Sequence, residues 1–179
     1  MDTYRWIADI GTGIEHLAVW EEGGGIAAQA VVIGDDEGSP YGAAYRIACD
    51  AAWRVRQAVV EVAGGGRRVL VSDGAGRWHD GDGQPLALLD GCIDIDITAT
   101  PFTNTLPIRR LGAALAQRRT IEVAWVHVPE LRVERAVQAY TRLGANRYRF
   151  ESVGGDFEAE LEVDDKGFVV RYPGLFRRI

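Results

Sequence analysis

The sequence has little of what secreted and membrane-spanning proteins need. It carries 2 cysteines in 179 residues, whereas small secreted domains usually carry about four or more. No apolar run approaches the roughly 18 residues that cross a bilayer. The first residues show neither the basic end nor the apolar stretch of a secretion signal. We therefore expect a cytoplasmic protein without an integral membrane segment.

Basic charge is scarce and dispersed. Lys166 is the sole lysine among 20 basic residues, and 26 acidic residues bring the formal net charge to -6. The arginines are scattered along the chain, without the cluster that follows a phosphate backbone. We expect no nucleic-acid partner, and the sequence does not indicate an oligomeric state.

Motifs for metal, cofactor and covalent chemistry are also missing. Cys49 and Cys92 lie in apolar surroundings, outside any Cys-x-x-Cys pair and away from a histidine at metal-ligand spacing. We predict two buried, unpaired thiols, although the sequence does not show whether they are close in space. There is no Gly-x-Ser-x-Gly, phosphate loop or dinucleotide fingerprint. We therefore expect no metal and no cofactor.

What the sequence does contain is a regular alternation of turns and short apolar stretches. Glycine and aspartate clusters recur about every ten residues, which is typical of a meander of strands. Between them, stretches such as 93–97 and 121–125 alternate apolar and polar side chains, and this favours antiparallel strands with one buried face. Residues 111–117 could form a short helix. Residues 132–143 also fit a helical stripe, but we interpret them as a strand. The predicted fold class is mainly β, with at most short helices.

The chain also resembles itself. Tyr45 falls on Tyr140 when the sequence is laid over itself, and the neighbouring aromatic, aspartate and glycine positions follow. We predict a single domain, 1–179, built from pseudo-repeats at about 26–78 and 121–169. Each repeat is too small to bury its own apolar face, so the two would pack side by side into one strongly curved antiparallel sheet.

Residues 90–111 form a long and specific run that resembles the signature of the putative glycolipid-binding family of bacterial proteins. The other segments that carry the resemblance are Gly13-x-Glu15-His16, 45–50, Trp53-Arg54-Val55-Arg56, Asp73-Gly74-x-Gly76-x-Trp78, Gln138-x-Tyr140-Thr141 and 172–176. The resemblance implies a half-barrel similar to those of lipoprotein carriers. It also implies a small amphipathic ligand, a lipid or glycolipid, held in the concave face without catalysis.

Side chains that combine a flat apolar surface with a polar tip, or that could hold a headgroup, are the candidates for contacting such a ligand. The candidate ligand-binding residues are Tyr45, Trp53, Arg56, Trp78, Asn104, Arg109, Arg110 and Tyr140. We expect Trp53 and Trp78 near a rim, because charged and turn residues flank both in sequence.

The segment 100–110 stands out because Pro101 and Pro107 remove backbone donors, which predicts a structured loop rather than a strand or a helix interior. Its hydroxyls, its amide and the adjacent arginine pair could bind an anionic or hydroxylated headgroup. Alternatively, the arginines pair with the nearby Asp94 and Asp96, which alternation would place on a solvated strand face.

Two other functions stay open. One is a hydrolase or isomerase that acts on a sugar or nucleotide-like substrate. Its acid and base residues would be Glu15, His16, Asp94 and Asp96, with Arg109 and Arg110 as an anion clamp. The other is a protein-interaction module that presents an open sheet edge. A deep apolar cavity would favour ligand carriage, whereas a shallow polar cleft where carboxylates and His16 meet would favour catalysis.

Overall fold

The alternating stretches of the sequence form strands that follow one another with short turns. The computed structural model describes residues 1–179, and 55% of them lie in strands. The strands are β1 (Asp2–Ala8), β2 (Ile14–Glu22), β3 (Gly25–Asp36), β4 (Ser39–Cys49), β5 (Val55–Val62), β6 (Arg67–Ser72), β7 (Trp78–Asp80), β8 (Asp94–Ile97), β9 (Arg119–Val126), β10 (Val133–Arg142), β11 (Arg147–Ser152), β12 (Glu158–Val163), β13 (Val169–Tyr172) and β14 (Phe176–Arg178).

All fourteen strands belong to one curved, unclosed sheet. Strands β7 to β1 lie side by side in descending order, β1 pairs with β14, and β14 to β8 continue in descending order. The first and last strands therefore meet in the middle of the sheet, where Trp6 is opposite Arg178 and Ala8 is opposite Phe176. The predicted fold class, a mainly β protein with a strongly curved antiparallel sheet, is confirmed.

One strand pair departs from the predicted pattern. Strand β8 runs parallel to β9, whereas the alternation at 93–97 had been interpreted as an antiparallel strand. Parallel neighbours need a connection of about a dozen residues or more, usually one that contains a helix. Residues 98–118 supply that connection, and they contain the one α-helix of the structure, α1 (Phe102–Leu111).

Helix α1 corrects the prediction that 100–110 is a loop. Pro101 is its N-cap residue, and Pro107 lies inside it. A proline removes one backbone donor from a helix interior and usually kinks or ends it. Here every residue from Phe102 to Ile108 is buried, so packing outweighs that penalty. The short 3-10 helix Gly112–Ala116 that follows agrees with the predicted helical turn, and the strand predicted at 132–143 is β10.

Strand β8 and helix α1 pack their side chains into the hollow of the sheet. Ile95, Phe102 and Leu106 join one hydrophobic core with side chains from both halves of the sheet, such as Trp6 and Val126. A second, smaller core surrounds Tyr140 and Phe150. None of the helices has the length and apolar composition needed to cross a bilayer. The space left for a ligand is therefore confined to what these side chains do not occupy.

Four loops share one geometry. In each, an aspartate Oδ1 accepts hydrogen bonds from the backbone N–H groups two and four residues later. The four aspartates are Asp50, Asp73, Asp80 and Asp164. The residue three places on has a positive φ, and it is glycine in three of the loops but Trp53, at φ 62°, in the first. Non-glycine residues rarely adopt this conformation.

The predicted duplication of 26–78 and 121–169 stays a prediction. Strands β3 to β7 and β9 to β13 follow the same order along the two ranges, and the Asp73 and Asp164 loops have matching hydrogen bonds. These correspondences support the proposal of a repeated unit.

Candidate functional site

Two adjoining cavities open at one end of the strands, beside the β1–β2, β3–β4, β11–β12 and β13–β14 turns. The first, of about 350 Å³, lies against β8, α1, β10 and β11, and we call it the amide cavity. The second, of about 270 Å³, lies against β1, β2 and β3, and we call it the Glu15 cavity. Thr98, Leu175 and Phe176 line both. Small-molecule sites usually measure about 300–1,000 Å³, so the two together offer room for a modest ligand.

The amide cavity combines a polar floor with aromatic walls. Asp96 on β8, Asn104 on α1 and Gln138 on β10 provide its carboxylate and its two amides. The aromatic side chains around them are Trp125, Phe150, Phe157, Tyr172 and Phe176. Aromatic faces cover apolar groups, while a few fixed polar groups orient a ligand. This combination suits an amphipathic molecule.

A chain of hydrogen bonds fixes the polar floor. The Asn104 side-chain amide donates to the Tyr140 hydroxyl at 2.9 Å, and that hydroxyl donates to Gln138 Oε1 at 3.2 Å. Gln138 Nε2 then donates to Asp96 Oδ2 at 2.6 Å, while the Thr103 hydroxyl donates to Asp96 Oδ1 at 2.9 Å. Burial raises the pKa of Asp96, and these two bonds oppose the rise. Each amide has two donors and two acceptor positions, so both keep capacity for a ligand.

The Glu15 cavity is lined mainly by hydrophobic residues, and of its three carboxyl groups only that of Glu15 is buried, since Asp35 and Asp36 are exposed. Glu15 is 2% exposed; its Oε1 accepts hydrogen bonds from the Tyr45 hydroxyl at 2.5 Å and the Thr100 hydroxyl at 2.9 Å. Its Oε2 has no partner in the protein. Burial raises the pKa of Glu15 to about 7, although the two hydroxyl bonds work in the opposite direction. The carboxyl group therefore titrates near neutral pH.

One of the eight candidate ligand-binding residues lines a cavity, and two others hydrogen-bond a side chain that does. Asn104 lines the amide cavity, and its side-chain amide donates a hydrogen bond to the Tyr140 hydroxyl. In the Glu15 cavity, the Tyr45 hydroxyl donates a hydrogen bond to the Glu15 carboxyl group. The two tyrosines correspond to each other in the internal resemblance, and each is hydrogen-bonded to a polar side chain that lines one cavity.

Trp53, Arg56 and Trp78 line neither cavity. The expectation that the two tryptophans lie near a rim is wrong. Trp78 is 1% exposed and its indole N–H donates to the Cys92 carbonyl at 2.7 Å, while Trp53 is buried against Phe168. Neighbouring charges in sequence do not set exposure: Trp78 begins strand β7, where adjacent side chains point in opposite directions, and Trp53 adopts a positive φ in the turn after β4. The Arg56 guanidinium donates to the Ser72 carbonyl at 3.1 Å.

The arginine pair also lies away from the cavities. Arg110 donates from Nε to Asp94 Oδ1 at 3.0 Å and from Nη2 to Asp94 Oδ2 at 2.5 Å. This is the alternative in which the arginines pair with nearby aspartates. Arg109 donates to the Lys166 carbonyl at 3.2 Å and lies over the Trp53 ring. Asp94 is fully buried, so the expectation of a solvated Asp94 is wrong. Burial raises its pKa, and Arg110 opposes that rise.

The four residues of the acid-base alternative are not brought together. Glu15 and His16 are neighbours on β2 and point to opposite faces; His16 is exposed and accepts a hydrogen bond from Arg5 at 3.2 Å. Asp96 lies in the amide cavity and Asp94 is paired with Arg110. No group of three or more His, Cys, Asp or Glu side chains could hold a metal ion.

Gln138, Thr98, Leu175 and Phe176 line the cavities but were absent from the candidate residues. A signal for Gln138 existed, because it precedes Tyr140 by two places and so shares its face of the predicted strand. Phe176 ends the 172–176 segment of the family resemblance, but nothing in that segment shows that it meets the cavities, because the pairing of β14 with β1 places it there.

The chain was compared with known proteins. The model of the family described as putative glycolipid-binding matches residues 3–178. None of the curated proteins matches the chain. Among solved structures, the chain is similar to a DUF1089 family protein from Pseudomonas aeruginosa, with 44% sequence identity, 92% of each chain covered and a TM-score of 0.83. The chain therefore belongs to the putative glycolipid-binding family.

Proposed function

We propose that this protein binds a lipid or glycolipid in the amide cavity and does not transform it. One observation carries the proposal: the same cavity is lined by three hydrogen-bonded polar side chains, Asp96, Asn104 and Gln138, and by five aromatic side chains. The polar head of the ligand would bind the amides, and its apolar part would lie along the aromatic wall. The family description supports the same class of ligand.

Exposed apolar side chains around the cavities support this proposal. Among the large hydrophobic residues that remain exposed, Phe157 and Leu175 line the amide cavity, and Ile10 lines the adjoining Glu15 cavity. Clustered apolar surface is uncommon on a protein that has nothing to bind there, and covering it releases water. The apolar part of a ligand in the amide cavity would cover Phe157 and Leu175.

The charges of the lining favour an uncharged head. No Lys, Arg or His side chain lines either cavity, whereas recognition of phosphate and carboxylate usually depends on arginine or lysine. Arg110 is already bound to a buried carboxylate. Amide groups can instead donate to and accept from sugar hydroxyls. A glycolipid head therefore fits this cavity better than a phospholipid head.

Binding of n-octyl-β-D-glucoside, measured by calorimetry, tests the proposal. Asn104→Leu keeps a side chain of similar size but removes one of the two amides, and we expect it to weaken binding about tenfold. Asn146→Leu is the matched control, because Asn146 is exposed and lies outside both cavities. Equal affinities of the Asn104 variant and the control would contradict the proposal.

Native mass spectrometry of the purified protein, followed by organic extraction, would identify a co-purified ligand. We expect an amphipathic molecule that is released unchanged after incubation with fresh protein. A processed product would instead favour the hydrolase or isomerase alternative.

A further inference from the structure

The Glu15 cavity contains a polar atom that the fold leaves unsatisfied. Glu15 Oε1 has two hydroxyl donors, but Oε2 has none. A buried polar atom without a partner is costly, and few occur in native proteins. The atom belongs to a side chain that lines an open cavity. Oε2 itself is closed to solvent, so a group that enters this cavity can supply the missing hydrogen bond once the Glu15 side chain turns toward it.

The charged residues that line this cavity indicate which chemical group would bind to Glu15 Oε2. Its lining contains Glu15, Asp35 and Asp36 but no Lys, Arg or His side chain. A carboxylate in apolar surroundings gains most from a partner of opposite charge. A carboxylate ligand would meet like charge, and an alcohol would supply a hydrogen bond without a charge.

We propose that the Glu15 cavity is a second binding site, for the protonated amino group of an aliphatic amine, with the ammonium group against Glu15 Oε2 and the alkyl chain along the apolar wall. The apolar side chains on the same face of the sheet as Glu15 include Trp6 and Val32, which are its cross-strand neighbours and line the cavity. This site is distinct from the proposed site for the polar head in the amide cavity.

The size of the cavity selects the probe. A volume of about 270 Å³ divided by the ~30 Å³ that a water molecule occupies in the liquid corresponds to about nine non-hydrogen atoms. n-Octylamine has about that many. 1-Octanol and octanoate have the same chain length and replace the ammonium group with a neutral or an anionic group, so the three probes isolate the effect of head charge.

The site also predicts a dependence on pH. The pKa of Glu15 is raised to about 7 by burial, so the ammonium ion finds an ionised partner above that pH and a neutral one below it. The other titratable groups facing this cavity or Glu15 itself are Tyr41, Tyr45, Asp35 and Asp36. Burial raises the pKa of both tyrosines above its ordinary value of 10.0, so they stay neutral in this range.

The experiment is a calorimetric titration of the whole protein with each probe at about pH 8.5, above the pKa of about 7. We expect octylammonium to bind about tenfold or more tightly than 1-octanol, since a hydrogen bond to a charged group is worth about that ratio. Glu15→Gln should reduce the ratio to about threefold or less. Glu21→Gln is the matched control, because Glu21 lies exposed on the same strand and should leave the ratio unchanged.

A second measurement uses the unaltered protein, in case the Glu15 variant does not fold. Near pH 7, about half of the Glu15 carboxyl groups are protonated. Octylammonium should displace that proton, so titrations in phosphate and imidazole buffers, which differ in ionisation enthalpy, should report release of about half a proton per bound amine. 1-Octanol should release none.

Three results would overturn the proposal: equal binding of octylammonium and 1-octanol, tightest binding of octanoate, or a preference for the amine that persists in the Glu15 variant. Parallel titration with octyl glucoside separates the two sites. If the glucoside fails to bind while the amine binds with the expected preference, the function proposed for the amide cavity fails and the amine site stands.

Discussion

Replacing Glu15 with glutamine tests the burial of this carboxyl group through the pH dependence of stability. The glutamine amide has nearly the same shape, but it does not titrate. The pKa of Glu15 rises from the ordinary value of 4.5 to about 7 because the group is buried. At about 1.36 kcal/mol for each pH unit, this rise corresponds to about 3 kcal/mol. The tyrosine and threonine hydroxyls that donate to Glu15 oppose the rise, so the figure already includes their contribution.

The direction of the effect follows from which state holds the proton. Below about pH 4.5, Glu15 is protonated in both the folded and the unfolded chain and contributes no pH dependence. Between about 4.5 and 7 the unfolded chain loses this proton while the folded chain keeps it, so the free energy of unfolding falls as the pH rises. Above about pH 7 both forms are ionised and the difference stays constant.

Urea unfolding followed by tryptophan fluorescence measures the effect directly. The free energy of unfolding of Glu15→Gln, minus that of the unaltered protein, should rise by about 3 kcal/mol from about pH 4 to pH 7.5 and then level off. Other titrating groups, such as Asp94 and Asp96, are common to both proteins and cancel. Glu21→Gln, on the same strand but exposed, should give a flat difference. A flat difference for the Glu15 variant as well would refute the assigned burial of this carboxyl group.

Two further predictions concern buried groups outside the cavities. Arg110→Ala removes the partner of the fully buried Asp94; we expect a loss of about 3–5 kcal/mol in the free energy of unfolding near pH 8, and partial recovery when Asp94→Asn is added. A loss below about 1 kcal/mol, the range of an exposed pair, would contradict the buried pairing. Cys49 and Cys92 are buried, and burial raises the pKa of their thiols to about 12 and about 11; Ellman's reagent near pH 8 should titrate neither in the folded protein and both in urea. Rapid reaction of either thiol in the folded protein would show that it is accessible.

The sequence predicted strands better than it predicted their partners. The internal resemblance, which lays Tyr140 over Tyr45, identified β10 in a stretch that also fitted a helical stripe. The alternation at Asp94–Ile97 predicted a strand but could not reveal that β8 runs parallel to its neighbour. Strand direction depends on the connection between the strands. The local effects of Pro101 and Pro107 predict a loop there, whereas the structure has a helix.

The candidate site was predicted in part for a related reason. Asn104 lines the amide cavity, and Tyr45 and Tyr140 hydrogen-bond side chains that line the two cavities. All three carry a polar group and stand in segments that the family resemblance covers. Phe176 also stands in such a segment, but nothing there shows that it meets the cavities, because it reaches them through the pairing of β14 with β1. Contacts between distant segments are properties of the sheet rather than of any local pattern.

The position of Phe176 has one more consequence. Its ring forms part of both cavities, and its strand joins the two halves of the sheet through a ladder that includes Ala8. A ligand that displaced this side chain in one cavity would change the space available in the other. Occupancy of the two cavities would then be thermodynamically linked, and by reciprocity each ligand would change the affinity for the other by the same factor.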